Sequence, residues 1–264
     1  MQYFNQKVYD NILNIGTMIQ LQYKTAYPFP YIEIDNLWNN DLLGQIKCEI
    51  RNITDWDGEK YFYGSIGKRW IDTPERLPKH CKQFIQHLNS SQICGLVESI
   101  TGERHLIPDP YLDGGGVHST KKNGFLKMHT DFNWHQKLQC YRRINLLIYL
   151  NKNWKKEWKG DLLFATRNDS GFIDVKNKIN PAFNKTVIFT TTDDTYHGHP
   201  EPLNTPENIT RDSVSMYYYQ SAKPADSAEF KRIDTEYKLS KDDLIGMPPE
   251  IASKLKPISP KKAL

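Results

Sequence analysis

The second half of the chain alternates between short apolar runs and clusters of Gly, Asn, Asp and Pro. This pattern is typical of antiparallel β-strands joined by turns, and several short strands at such a spacing favour a sandwich or a jelly roll. We therefore predict a mainly β protein. The predicted strands are Gly115–Thr120, Leu126–Asp131, Arg143–Leu150, Asp161–Ala165, Phe172–Val175, Thr186–Thr191 and Ser213–Gln220.

The region before these strands favours helices. Pro28–Asp35 alternates like a short strand. The residues that follow predict a helix that is capped by Asn40 or Asp41 and ends near Arg51. This first part of the chain is expected to support the β region with flanking helices.

Three further segments have patterns of their own. Trp56–Asp72 is rich in Tyr, Trp and Gly and has no clean period. Pro74–Ile100 has apolar residues at helical spacing with a break near Asn89, and Gly102 is the expected C-cap. At the C-terminal end, 225–264 predicts one or two weak helices and a mobile tail rich in Lys and Pro.

Composition changes this prediction little but excludes several classes of protein. Of the 264 residues 38% are hydrophobic, which is enough for a packed core, and the formal charge of +4 is small and mixed, so no nucleic-acid partner is expected. Four cysteines without a CxxC pair argue against a disulfide scaffold or a cysteine zinc site. We see neither a secretory leader nor an apolar run of ~18 residues, so no membrane segment is predicted and we expect a cytoplasmic protein, bacterial or phage-encoded.

The first candidate for chemistry is the triplet His129-Thr130-Asp131. Residues two apart on a strand point the same way, so His129 and Asp131 share one face while Thr130 turns away. An imidazole and a carboxylate side by side can take two adjacent positions on a metal. A hydrogen-bonded pair at a strand end is the alternative interpretation.

A third ligand is available after the strand Thr186–Thr191. The segment that follows carries both His197 and His199. Two His and one carboxylate leave three positions open on an octahedral metal, which suits ferrous iron that must also bind an organic chelate and O2. Loop histidines that face solvent are the alternative.

The segment Arg211–Tyr217 places Arg211 on one face of a predicted strand, together with every second residue. An inward Arg is costly unless it meets an anion, and its guanidinium fork matches a carboxylate. On another strand Tyr149 shares a face with Asn145, where its phenol could bind the same carboxylate. A structural ion pair for Arg211 and a core position for Tyr149 are the alternatives.

These motifs together resemble the prolyl 4-hydroxylase-like branch of the iron(II)/2-oxoglutarate-dependent oxygenase superfamily. The order and the spacing of the motifs both match, and the likeness covers about residues 105–222. The segments that carry it are Gly114–His118, Gly124–His135, Arg142–Lys152, Tyr196–Pro202 and Arg211–Ser213.

The resemblance implies a double-stranded β-helix, a jelly-roll or cupin-like core with N-terminal helices packed along one sheet. It divides the chain into an N-terminal strand with supporting helices over 1–104, the oxygenase core over 105–222, and a C-terminal helix or tail over 223–264. All three parts are expected to form one structural domain.

The resemblance also implies roles for particular residues. His129 and Asp131 take the positions of the HxD motif, His197 that of the distal metal ligand, and Arg211 that of the 2-oxoglutarate anchor. His199 has the same strand parity as His197, so alternation does not separate them, although the family motif favours His197. Further contacts to the co-substrate or lining positions beside the metal are implied for Tyr149, Ser213, Tyr217 and His118.

The implied reaction uses Fe(II), 2-oxoglutarate and O2, with ascorbate as a further cofactor, and hydroxylates a C–H bond while releasing succinate and CO2. A prolyl residue or a proline-like molecule is the implied substrate, which leaves peptides, proteins and small molecules open. Phe132–His135 and the loop Asn151–Gly160 are candidate rim segments. A zinc hydrolase with the same three ligands and a catalytically silent binding module are the competing hypotheses.

Overall fold

An antiparallel sheet of thirteen strands forms the centre of the computed structural model, which describes residues 2–62, 64–169, 171–223 and 232–238. The mainly β fold with flanking helices that was predicted from the sequence is confirmed. The strands are β1 Tyr31–Asp35, β2 Gly58–Phe62, β3 Ser65–Ile71, β4 Ile107–Pro108, β5 Gly116–Thr130, β6 Trp134–His135, β7 Cys140–Tyr149, β8 Leu162–Arg167, β9 Ile173–Ile179, β10 Lys185–Thr190, β11 Tyr196–His199, β12 Arg211–Gln220 and β13 Glu236–Tyr237.

Strand β5 belongs to both walls of this jelly roll. The strand order is β1-β10-β7-β12-β5-β11-β8-β9, and β5 separates the first four strands from the last three. The first part of β5 pairs with β12, where Thr120 lies opposite Arg211. Its last part pairs with β11, where His129 lies opposite His197. One continuous strand therefore connects the two walls that face each other across the interior.

Five α-helices cover the outer face of the larger wall. In β7 the side chains of Ile144, Leu146 and Ile148 join the apolar core that the helices complete. Asn145 and Tyr149, from the alternate positions, face the interior cavity. The alternation predicted for this strand is thus observed. The helices are α1 Gln6–Asn14, α2 Gly16–Thr25, α3 Asn40–Arg51, α4 Lys79–Leu88 and α5 Ser91–Thr101.

Two helix caps were predicted from the sequence; the structure confirms one of them and corrects the other. Gly102 ends α5 with φ of 79°, the left-handed conformation that glycine adopts without strain, as predicted. The cap of α3 is Asn39, whereas Asn40 or Asp41 was predicted. The side chain of Asn39 accepts hydrogen bonds from the backbone N–H groups of Asp41 and Leu42, at 2.9 and 3.0 Å. The capping residue lies just before the first helical residue, because only there can its side-chain oxygen accept from the free N–H groups of the first turn. Asn39 holds this position.

Several elements differ from the prediction. The aperiodic segment Trp56–Asp72 contains the hairpin of β2 and β3, and α1 and α2 occupy the opening residues for which no element was predicted. The two strands predicted on either side of Lys121–Phe125 are one strand, β5. Most of the predicted C-terminal helical segment lies outside the described residues, and within 232–238 the chain forms β13, which pairs with β5. None of the described helices is long and apolar enough to cross a membrane.

Candidate active site

Three side chains meet where β5 and β11 run side by side. His129 and Asp131 come from the end of β5, and His197 lies directly opposite His129 on β11. One ligand atom from each residue lies within 4.8 Å of the other two, so the group could hold a metal ion. The Nε2 atoms of His129 and His197 lie 3.7 and 3.3 Å from the carboxylate of Asp131. The HxD pair and the distal His of the sequence are thus brought together.

Hydrogen bonds fix which ring nitrogen each histidine presents. Nδ1 of His129 lies 2.8 Å from the backbone carbonyl of Lys127, and Nδ1 of His197 lies 3.1 Å from that of Thr195. A carbonyl oxygen only accepts, so each Nδ1 donates its proton to the backbone and Nε2 is the nitrogen that faces Asp131. Burial, reinforced by His197, lowers the pKa of His129 to about 3. The imidazole of His129 is therefore neutral, as a metal ligand must be.

Gly198 separates the two candidate distal histidines. A Cβ at this position would lie 2.7 Å from the carbonyl oxygen of Lys127 and 2.9 Å from that of Leu126, so only glycine permits this approach of β11 to β5. A register shift follows, and His199 lies opposite Leu126. The side chain of His199 reaches the same cavity but is not among the three that could hold a metal together.

Asp131 is held by two partners on β7. Its Oδ2 accepts hydrogen bonds from Arg142, at 3.0 Å, and from Asn145, at 2.7 Å. Burial alone would raise the pKa of this carboxyl, but Arg142 and then His197 outweigh burial and hold the pKa well below its usual range. Asp131 is therefore an ionised carboxylate of fixed orientation.

Arg211 lies in the same cavity, at the other end of β5. Its Nε donates to the carbonyl of Gly160 at 2.7 Å, and one terminal nitrogen donates to the hydroxyl of Tyr149 at 3.3 Å. Arg211 is buried, yet no carboxylate in the described parts of the chain forms an ion pair with it. The structural ion pair that was the alternative interpretation is therefore not observed among these residues.

The remaining predicted contact residues line the cavity but differ in what they can offer. Ser213 lies between Tyr149 and His118 in the strand register, next to Arg211 on the same face. The hydroxyl of Tyr217 donates to the carbonyl of Gly114 at 2.8 Å, so its ring rather than its hydroxyl faces the cavity. Both ring nitrogens of His118 have partners within the protein, at 3.1 and 3.2 Å.

The candidate rim segments contribute less than the sequence suggested. Phe132 lines the cavity. His135 does not, because it is fully buried and its Nε2 lies 3.2 Å from Asp109. Trp154 and Trp158 pack edge to face with ring centroids 5.4 Å apart, away from the cavity lining.

Sequence reasoning missed several residues of the cavity. Arg142 was not assigned to the face of Asn145, because residues three apart fall on opposite sides of a regular strand. The pairing of β7 with β12 is irregular near this point, and both side chains reach Asp131. Further lining residues come from the hairpin β2–β3 and from the short segment after 231. They are Lys60, Lys68, Thr235 and Tyr237.

Two histidines and one carboxylate with open positions are the ligand set of non-haem iron oxygenases, and in this jelly roll they lie in the same cavity as a buried arginine. Residues 115–219 match the family model of the 2OG-Fe(II) oxygenase superfamily, which confirms the resemblance seen in the sequence. This segment of the chain is therefore similar to the enzymes of that superfamily. A comparison with curated proteins finds no match.

Solved structures of such oxygenases have the same fold. A prolyl hydroxylase from Trichoplax adhaerens, in complex with a peptide of the hypoxia inducible factor, is 19% identical with a TM-score of 0.56, over 81% of this chain and 93% of that chain. A prolyl-4-hydroxylase from Pseudomonas putida is 15% identical with a TM-score of 0.52, over 78% and 98%. HygX from Streptomyces hygroscopicus, with nickel and 2-oxoglutarate bound, is 13% identical with a TM-score of 0.54, over 83% and 96%.

Proposed function

We propose that the protein hydroxylates a C–H bond of its substrate in a reaction that requires Fe(II), 2-oxoglutarate and O2 and releases succinate and CO2. His129, Asp131 and His197 hold the iron, and Arg211 binds the distal carboxylate of 2-oxoglutarate. When bound, the iron and its co-substrate supply the oxidising power of the reaction. The protein contributes orientation, charge and the exclusion of water.

The three residues fit a divalent iron ion by their chemistry. Two imidazoles turn Nε2, the nitrogen available to a metal, toward the ionised carboxylate that completes the set. Hydrogen bonds to backbone carbonyls orient the rings, and Arg142 with Asn145 orients the carboxylate, which is the outer-shell support that metal ligands usually have. Two histidines and one carboxylate with open positions are the ligand set of non-haem Fe(II) oxygenases.

The observation that carries the proposal is the buried guanidinium of Arg211. A buried cation without an anion is strongly unfavourable, and among the described residues none supplies the anion. A dicarboxylate that reaches from the metal to Arg211 satisfies both ends. Tyr149 and Ser213 flank Arg211 and offer hydroxyl groups to the same carboxylate. A zinc hydrolase would have no use for this arginine.

The prime substrate is proposed to be a prolyl residue or a proline-like molecule. Two of the structural neighbours are prolyl hydroxylases, which supports this choice. The substrate has to approach the metal past Phe132 and Tyr237, which line the cavity beside His129. We also propose ascorbate as a further cofactor.

Anaerobic binding of 2-oxoglutarate in the presence of Fe(II) tests the assignment. We expect the weak visible charge-transfer band of the chelate in wild-type protein and a much weaker band in Arg211→Ala at the same concentration. Lys122→Ala is the matched control, because Lys122 is a half-exposed cation that pairs with Glu207 at 3.0 Å, outside the cavity. A wild-type protein that gives no band but retains zinc tightly would refute the oxygenase and support the hydrolase.

A further inference from the structure

His199 is a buried residue of the cavity wall whose ring nitrogens have no partner among the described residues. It is 4% exposed and lines the same cavity as the candidate metal ligands. No group in the described parts of the chain forms a hydrogen bond with either nitrogen of its ring. An imidazole carries at least one N–H group, and a buried donor without an acceptor is unfavourable. Because Nδ1 is enclosed by the protein, Nε2 is the nitrogen from which a bound molecule can accept.

The other described histidines of the cavity wall differ from His199 in this respect. Nδ1 of His129 and Nδ1 of His197 each donate to a backbone carbonyl. Both ring nitrogens of His118 lie within 3.2 Å of a partner in the protein. The contacts within the chain therefore account for these three rings but leave the ring of His199 for a ligand.

The metal is not the ligand that the position of His199 favours. The described side chains that could hold an ion together are His129, Asp131 and His197, and His199 is not in this group. His199 follows His197 by two residues on β11, so its backbone lies about 6–7 Å farther along the strand. The ring of His199 thus lines a part of the cavity beyond the metal ligands.

That part of the cavity is the end at which Arg211 lies. Strand β11 pairs antiparallel with β8, so His199 lies toward the start of β8. Just before that start, the carbonyl of Gly160 accepts a hydrogen bond from Nε of Arg211. Burial, and next the charge of Arg211, hold the pKa of His199 well below its ordinary value, as a neighbouring cation does. His199 and Arg211 therefore border the same space.

A carboxylate in this space has room for both donors. An ionised carboxylate offers about four lone-pair sites. Arg211, Tyr149 and Ser213 are the donors already proposed for the distal carboxylate of 2-oxoglutarate, and each of the two hydroxyl groups can supply one hydrogen bond. One N–H group of His199 completes the set of acceptors that such a carboxylate can offer.

We propose that His199 is a further ligand of the co-substrate, and that its Nε2 donates a hydrogen bond to the distal carboxylate of 2-oxoglutarate beside the guanidinium of Arg211. This inference rests on the proposed function and adds a binding residue to the same site. It follows that His199 contributes to the selection of a dicarboxylic oxo acid over one that ends in a methyl group.

The test uses full-length protein loaded with Fe(II) under anaerobic conditions, with the chelate band as the readout of binding. The two probes are 2-oxoglutarate and 2-oxopentanoate, which has the same chelating end but a methyl group in place of the distal carboxylate. We expect His199→Leu to bind 2-oxoglutarate about ten- to a hundredfold more weakly than wild type, the effect of one hydrogen bond to a charged group. The same variant should bind 2-oxopentanoate as wild type does.

A conservative variant and a metal titration separate this role from a structural one. His199→Gln keeps an amide N–H donor at about the reach of Nε2 and should restore most of the affinity for 2-oxoglutarate. Both variants should bind Co(II) as wild type does when no oxo acid is present. His105→Asn is the matched control, because His105 is exposed, lies outside the cavity wall and has a φ of 59° that asparagine tolerates.

Three results would each overturn the inference. They are wild-type affinity for 2-oxoglutarate in His199→Leu, an equal weakening of both oxo acids in that variant, and a loss of Co(II) affinity in His199→Leu as large as in His129→Ala. Absence of the chelate band in wild type would instead refute the proposed function.

Discussion

The glycine between the two distal histidines offers a test of how the metal site is built. Gly198 lies on β11 where a side chain would meet the backbone of β5, and its neighbour His197 lies opposite His129. Replacing Gly198 with Ala adds one methyl group and no charge. A methyl group here changes the distance between the two strands without removing any ligand.

The size of the effect follows from the contacts. The added Cβ would lie 2.7 Å from the carbonyl oxygen of Lys127, whereas ordinary contact begins at 3.4 Å. The two strands must therefore move apart by the difference, about 0.7 Å. The atoms that the methyl group would meet first, the carbonyl oxygens of Lys127 and Leu126, belong to the backbone and cannot rotate away as a flexible side chain can. Metal sites tolerate distance errors of about 0.2 Å. We expect Gly198→Ala to weaken metal binding by about ten- to a hundredfold, the range seen when ligand orientation is disturbed.

The assay is an anaerobic titration with Fe(II), repeated with Co(II), together with thermal unfolding of the metal-free protein. Gly95→Ala is the matched control, because Gly95 is exposed in α5 and an added Cβ would contact nothing within 4 Å. Alanine at that helical position should stabilise the fold by about 0.5–1 kcal/mol and leave metal affinity unchanged. Wild-type metal affinity in Gly198→Ala would show that β11 can move without disturbing His197, and the argument from close approach would fail.

Three other changes test separate parts of the structure. Arg142→Met leaves the buried carboxylate of Asp131 without its cation, so the metal-free protein should lose about 3–5 kcal/mol in chemical denaturation, and added Co(II) should restore part of this loss; an unchanged midpoint would contradict the pairing. The pKa of His87 is lowered by burial to about 4 from 6.5, so the unfolded chain binds more protons between these values, and stability should fall by about 2–3 kcal/mol as pH decreases through that window. His87→Phe should remove this part of the pH dependence, whereas a change at the exposed His105 should not. Asn39→Ala removes the cap of α3 and should cost about 1 kcal/mol by thermal unfolding; no loss would show that solvent satisfies those N–H groups equally well.

The parts of the fold that the sequence predicted are those in which local pattern and packing agree. In β7 the apolar residues Ile144, Leu146 and Ile148 alternate with Asn145 and Tyr149, and the structure places the first set against the helices and the second in the cavity. Such alternation is decided by two neighbouring environments, one apolar and one polar, which a strand meets on its two faces. Periodicity was therefore sufficient to orient the strand.

The hairpin β2–β3 had no such signal. Its described residues mix buried, half-buried and exposed positions and include Gly58 and Gly67, so no period of two emerges. One of its glycines, Gly67, has φ of 66°, and the register shifts beside it. Lys60 and Lys68 read as ordinary surface lysines in the sequence. Only the pairing of four strands, β2, β3, β5 and β12, places them in one row with Arg211.

In the candidate site, too, contacts within one strand could be predicted from the sequence, whereas those that depend on the pairing of distant strands could not. Two residues apart on one strand, His129 and Asp131 could be paired from the sequence alone. Strand alternation could not decide between His197 and His199, because it places both side chains on the same face. The register shift around Gly198, which depends on carbonyl groups of β5, distinguishes them.

The candidate ligands and part of the cavity wall lie in different parts of the chain. The candidate metal ligands, Arg211 and the residues that support them all lie within 115–219, the segment that matches the oxygenase family model. Apart from Gly114, the described residues that line the cavity from outside this segment are Lys60, Lys68, Thr235 and Tyr237. The family match over 115–219 therefore carries no information about these walls.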